Sequence, residues 1–112
     1  MLKKYIRPCF LIAALAASSC AKTPNAIAPI APPPSAYRGM SCRELGSELR
    51  SVVAKLEVAS ARQTQAAQND AAGVFLLGVP VASLAGADME AEVASLKGQK
   101  LALDDTVARR CS

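Results

Sequence analysis

The sequence predicts an all-α fold, an antiparallel two-helix hairpin with an apolar Gly/Pro tip, closed by a disulfide and preceded by a proline-rich linker. Three observations predict it. Apolar residues recur at helical spacing in two charged segments. An uncharged run, residues 71–87, separates these segments. Cys42 and Cys111 lie at the two ends of the helical region, residues 41–112.

The N-terminus, MLKKYIRPCFLIAALAASSC, has the pattern of a secretory signal peptide over residues 1–19. A basic start precedes an apolar stretch that is too short for a stable membrane span, and small residues follow. Three of the 13 basic residues lie in this segment, which leaves 10 basic against 9 acidic residues. The remaining chain has no basic stripe with interleaved aromatic residues, so nucleic acid is not an expected partner.

The stretch Ala17-Ser18-Ser19-Cys20 resembles the lipobox of bacterial lipoproteins, although Leu is more usual at position 17 and Gly or Ala at position 19. The resemblance implies cleavage before Cys20 and fatty acylation of that residue, which anchors the protein in a membrane. Because residue 21 is Ala and not Asp, it also implies sorting to the outer membrane, facing the periplasm. Retention in the inner membrane, or cleavage near Ala14–Ala16 followed by secretion, is the alternative.

Residues 20–40 form the predicted linker. Five prolines between positions 24 and 34 each fix φ and remove a backbone donor, which disfavours both helix and sheet. A polyproline II spacer of some 18 residues would reach roughly 55 Å at about 3.1 Å per residue. We therefore expect the linker to hold the folded part away from the bilayer.

The first predicted helix begins at Ser41, which can form a capping box with Glu44. No Gly or Pro interrupts residues 47–72, and the periodicity carries the helix at least to about Ala67, within a predicted arm of about 34 residues. One face carries the residues of helical periodicity: Leu45, Leu49, Val52, Val53, Leu56, Ala59 and Gln63.

The second predicted helix has Asp88 as its N-cap and basic residues in its last turn. Its apolar face comprises Met89, Val93, Leu96, Leu103 and Val107. Whether this arm continues through Gly86 towards Pro80 or breaks there is open. Gly98 lowers helix stability by about 1 kcal/mol relative to Ala, which indicates a close contact at that position.

The cysteines predict the geometry of the hairpin. Cys9 leaves with the signal peptide and Cys20 is assigned to lipid, so Cys42 and Cys111 remain to pair in an oxidising periplasm. Two free or intermolecular thiols are the alternative. No metal site is expected, because the chain has no His and neither cysteine has a second one beside it. The midpoint of the paired cysteines falls between Leu76 and Leu77, inside the uncharged run.

The middle of the uncharged run forms the tip of the predicted hairpin and is called the apolar tip (residues 74–81). Its candidate interaction residues are Val74, Phe75, Leu76, Leu77, Val79, Pro80 and Val81. Monomers seldom leave such a patch in water, so we expect another protein surface to cover it, with lipid as the alternative. Asp70 and Asp88 border the run, and we expect them to lie near each other across the arms. Solvated carboxylates are the favoured interpretation over a cation site.

Further residues extend the resemblance to small envelope lipoproteins of Gram-negative bacteria. They are Ser41, Cys42, Asp70, Ala71, the residues Phe75 to Pro80, Gly86, Asp88, Leu96 to Gly98 and Cys111. The match covers the whole predicted helical region. That family implies no established activity, cofactor or ligand set.

The sequence favours no catalysis. Without His, the usual base of serine and cysteine triads is missing, and no phosphate-binding loop is present. We expect no cofactor and no small-molecule substrate. The favoured function is a lipid-anchored lipoprotein with a structural or protein-interaction role, whose partner is an envelope protein or a second copy. A membrane-active protein that inserts its tip for bridging or lysis is the alternative, as is an accessory subunit of an envelope transporter.

Overall fold

The computed structural model describes residues 21–111, and residues 1–20 and 112 lie outside that part. A short 3₁₀ turn at Pro24–Ala26 is followed by three helices: α1 at Cys42–Leu77, α2 at Val81–Leu84 and α3 at Glu90–Arg110. No strand occurs within residues 21–111. The all-α class is confirmed, whereas the simpler two-helix hairpin is not, because a short extra helix lies between the long ones.

The helix α1 has the predicted start and continues beyond the part that periodicity identifies. Ser41 Oγ accepts from the Glu44 N–H at 3.2 Å, and Glu44 Oε2 accepts from the Ser41 N–H at 3.1 Å, which completes the capping box. The helix continues past Ala67 to Leu77, through the first part of the uncharged run. It ends where Gly78 adopts a left-handed conformation, φ 76°, and its N–H bonds Val74 O.

The returning chain is broken at Gly86, which settles the two possibilities that the sequence leaves open. Gly86 has φ 79°, a value that residues with a Cβ adopt rarely. The helix α2 therefore stops at Leu84, and α3 begins at Glu90 after a short irregular stretch. Met89 is the N-cap of α3, so the predicted N-cap, Asp88, is wrong by one residue, although Asp88 Oδ1 accepts from the Glu90 N–H at 3.0 Å.

The core lies between α1 and α3, which pack along each other in opposite directions. Residues of the two predicted apolar faces are buried there: Leu45, Val52, Ala59, Val93, Leu96 and Leu103. At one end of this pair, the predicted disulfide joins Cys42 to Cys111 with a Cα–Cα distance of 5.7 Å. The described residues form an elongated body of 67 × 27 × 18 Å, called the helical rod below.

The N-terminal segment (residues 21–40) lies along the rod and does not extend away from it, so the predicted 55 Å spacer is wrong for these residues. Ile27 is buried in the core, and the Ile30 N–H donates to Ala94 O at 2.9 Å. Lys97 Nζ donates to Ile27 O at 2.8 Å and also to Pro24 O. Carbonyl groups of the N-terminal segment thus find donors on α3, and Pro24 O also accepts from the Ile27 N–H of the segment at 3.2 Å.

The same segment stays attached up to the disulfide end of the rod. The Arg110 guanidinium donates to Tyr37 O at 3.1 Å and to Met40 O at 2.8 Å. Gly98 shows how closely the segment approaches α3, because a Cβ there would overlap the carbonyl oxygen of Ile30. The close contact predicted for Gly98 is therefore with the N-terminal segment.

Candidate functional site

The apolar tip forms the end of the rod opposite the disulfide. Phe75 is 88% exposed, Leu76 75% and Leu77 71%, all in the last turn of α1. Val74, Val79 and Val81 are exposed to a lesser extent, and Pro80 is half-buried. Leu84, in α2 beside the tip, is 72% exposed and was missed by sequence reasoning. Four large apolar side chains are thus in water at one end.

Gly73 allows the chain to fold back at the tip. A Cβ at this position would lie 2.6 Å from Val81 Cγ2 and 2.8 Å from Val79 O, so only glycine fits without movement. Gly73 and the left-handed Gly78 together bring α2 against the end of α1. The valines are partly covered by this packing, and the Phe and Leu side chains face outward.

Asp70 lies one turn before the tip and is completely buried. Its Oδ1 accepts from the Ser83 N–H at 2.8 Å, and its Oδ2 accepts from the Ser83 hydroxyl. Oδ2 also accepts from the Ala21 N–H at 2.8 Å. One carboxylate therefore joins three parts of the chain: α1, α2 and the beginning of the N-terminal segment.

These hydrogen bonds determine the charge state of Asp70. Burial by itself raises the pKa of a carboxyl, but the Ser83 hydroxyl and the N–H groups of Ala21, Ser83 and Ala82 favour the ionised form. The net result is a pKa below the ordinary value of 3.8. Asp70 is therefore a carboxylate that holds backbone amides at neutral pH.

The predicted solvated role of Asp70 is consequently wrong, and its hydrogen-bond partners are Ser83 and Ala21. The oxygens of Asp70 accept hydrogen bonds from N–H and O–H donors. These donors stabilise the ionised carboxylate of Asp70 and leave no place for a cation beside it. Asp88 instead accepts from Gln63 Nε2 at 2.9 Å. Within residues 21–111, no group of three or more Cys, His, Asp or Glu side chains is placed to hold a metal ion.

Gln63 makes a second polar junction, two turns before Asp70 on α1. Its side chain is fully buried; Nε2 donates to Lys22 O at 2.8 Å, and Oε1 accepts from the Met89 N–H at 2.6 Å. Sequence reasoning placed Gln63 on the apolar face but gave it no partner. The only available signal was a polar residue at a core position of an amphipathic pattern.

These two junctions fix the direction of the N-terminal segment. It begins at Ala21, which is buried against Ala66 and Ala82 near the tip, and it runs to Met40 near the disulfide. Lys22 adds an exposed ion pair with Glu90 at 2.9 Å. The predicted lipidation residue, Cys20, lies outside the described residues, directly before Ala21 in the sequence.

The structure thus distributes the predicted site residues over two ends of the rod. The tip residues lie at one end, and Cys42 with Cys111 lies at the other. None of the helices within residues 21–111 combines the length and the hydropathy that a transmembrane segment needs.

The fold and the site define a class: an all-helical, disulfide-closed protein with an exposed apolar end. No family model, no curated protein and no solved structure matches the chain. No relative's activity is therefore available for transfer to it.

Proposed function

We propose that the protein is a lipid-anchored envelope lipoprotein that faces the periplasm, acts through structure and protein contacts, and catalyses no reaction. The lipobox-like stretch before Cys20 supports the anchor. The observation that carries the structural role is the attachment of the N-terminal segment to the rod from Ala21 to Met40. An acylated Cys20 would then hold a stiff body and not a loosely tethered domain.

In this proposal α1 and α3 are the two arms of a hairpin whose returning arm is interrupted by α2 and the Gly86 turn. The buried contacts along the arms and the disulfide give the hairpin its stiffness. A stiff body that projects from a membrane suits spacing or docking in the envelope.

The membrane-active alternative draws support from the exposed Phe75, Leu76 and Leu77.

The partner is proposed to be an envelope protein or a second copy of the chain. One shallow groove on the side of the rod offers it a mixed surface, with Val58 and Met89 beside Arg62 and Glu92. Its volume is about 290 Å³. Val58 is an exposed apolar side chain in the middle of α1, where a solvated helix face would carry a polar one.

Lipidation is tested by mass spectrometry of the mature protein from bacterial membranes. We expect an N-terminal peptide that begins at Cys20 and carries acyl groups, and a Cys20→Ser variant that accumulates unprocessed. An unmodified peptide that begins at Ala17 would contradict the proposed anchor.

The interaction role is tested with a photo-crosslinking residue in living cells. Placed at Val58, it should give a defined protein adduct, whereas Glu57, its exposed neighbour on another face of α1, serves as the matched control. Absence of an adduct from Val58 and from other positions along the rod would contradict a protein partner and leave lipidation untouched.

A further inference from the structure

We propose that the apolar tip enters the same lipid leaflet that holds the acyl chains of Cys20, so that the rod has two contacts with one membrane. This inference rests on the proposed lipidation. The occupant of the tip is then a lipid surface, in contrast to the protein surface expected from the sequence.

The position of Ala21 carries the inference. Its N–H is bound by Asp70, and Cys20 is the preceding residue, about 3.8 Å away from Cα to Cα. Phe75 and Leu77 follow Asp70 by five and seven residues on α1, which corresponds to about 7.5 and 10.5 Å along the helix axis. The acyl chains and the exposed tip therefore emerge from the same end of the rod.

The chemistry of that end suits a bilayer. Residues 71–87 contain no charged side chain, and Phe75, Leu76, Leu77 and Leu84 are exposed within this stretch. Apart from the buried Asp70 carboxylate, charged groups begin farther back along the rod, with Asp88 and the pair between Lys22 and Glu90. A short uncharged end of this kind fits the interfacial depth of about 5–10 Å that amphipathic elements reach, and no spanning is required.

Attachment of the N-terminal segment excludes the obvious alternative geometry. A free linker of the predicted length would let the tip turn towards a partner far from the bilayer. Because Ile30 and Ile27 are bound to α3, the segment cannot extend without breaking contacts that bury it. A protein that covered the tip would have to fit between the rod and the membrane in which the anchor is inserted.

A single tryptophan tests the inference, since the chain contains none. The full-length lipoprotein with Phe75→Trp is reconstituted into vesicles of phosphatidylethanolamine and phosphatidylglycerol with brominated acyl chains. Leu101→Trp, at an exposed apolar position of α3 far from the tip, is the matched control. We expect blue-shifted emission and strong quenching by the brominated lipid for Phe75→Trp, with neither effect for Leu101→Trp.

Two results would overturn the inference and leave the proposed lipoprotein intact. One is acylated protein that floats with the vesicles while both tryptophans remain unquenched. The other is a Phe75→Trp side chain that is shielded from aqueous acrylamide and also from brominated lipid, which would assign the tip to a second copy. A protein that carries no acyl group and does not float with vesicles would overturn this inference and the proposed function together.

Discussion

Asp70 and Gln63 are seven residues apart on α1, so they lie on the same face two turns from each other. Each buried side chain binds backbone groups of two other segments, with Gln63 reaching Lys22 and Met89. Ser83 and Ala21 are the corresponding partners of Asp70. At the residue scale, polar contacts therefore determine where the N-terminal segment begins and where the returning chain lies.

Replacing the Asp70 carboxylate tests this role. In Asp70→Asn, an NH₂ group takes the place of an oxygen that accepts from N–H or O–H, so we expect the free energy of unfolding to fall by about 1–3 kcal/mol. Urea unfolding at pH 7 measures this free energy of unfolding. Asp105→Asn, which alters only an exposed pair with Arg109, should change stability by less than about 0.5 kcal/mol.

The pH dependence follows from the lowered pKa of Asp70. The folded-state pKa lies below the ordinary 3.8, so this group's contribution to stability is complete above that value and is lost as pH falls through the folded-state pKa. Wild type should therefore lose more stability than Asp70→Asn on acidification below about pH 4. An equal loss of the free energy of unfolding in the two proteins on acidification would contradict an ionised Asp70.

Two glycines of the long helices make a matched pair of substitutions. A Cβ at Gly46 would meet nothing closer than 3.8 Å, so Gly46→Ala should stabilise α1 by up to about 1 kcal/mol. Gly98→Ala gains the same helix propensity but must displace Ile30. We expect it to lower stability and to increase hydrogen exchange at the Ile30 amide. Equal stabilisation by both substitutions would show that the N-terminal segment is not bound to α3.

At the element scale, α1 and α3 depend on the disulfide to close their common end. Cys42 and Cys111 are 69 residues apart in sequence, and a loop of this size corresponds to about 4 kcal/mol by chain-entropy arguments. Such a contribution is large beside the few kcal/mol that a core of this size supplies.

We accordingly expect reduction, or Cys42→Ser combined with Cys111→Ser, to lower the unfolding temperature strongly. Hydrogen exchange should rise first near residues 42–49 and 103–110, and the tip end should retain its protection at Asp70. Calorimetry with and without reductant measures the first effect. A change of only one or two degrees would mean that the helix contacts hold this end closed without the bond.

At the scale of the whole molecule, the proposed lipid anchor at Cys20, together with the long axis of 67 Å and the position of Ala21 near the tip, predicts a rod that stands upright on the membrane. If the proposed acyl anchor at Cys20 is present, neutron reflectometry of the protein on a supported bilayer should give a protein layer closer to 67 Å than to 27 Å. The disulfide end would then face away from the membrane. A layer near the shorter dimensions would indicate a rod that lies flat and would contradict the upright arrangement.

Much of the helical fold was predictable because its signals are local. The capping box of Ser41 and Glu44 needs only neighbouring residues, and the buried apolar residues of α1 and α3 follow from periodicity. Periodicity alone carried α1 only to about Ala67, since an apolar run gives no sign of whether it is helix or turn. The packing of α2 against α1 favours the continuation of α1 to Leu77.

The sequence by itself determined the all-α class, the positions of the long helices, the disulfide and the location of an uncharged tip. These depend on helical spacing, capping and the pairing of two remaining cysteines. Only the tertiary structure decided that residues 21–40 bind the rod and that Asp70 is buried. The reason is that a proline-rich segment and a lone carboxylate have no periodicity; their places depend on hydrogen-bond partners 13 to 73 residues away in sequence.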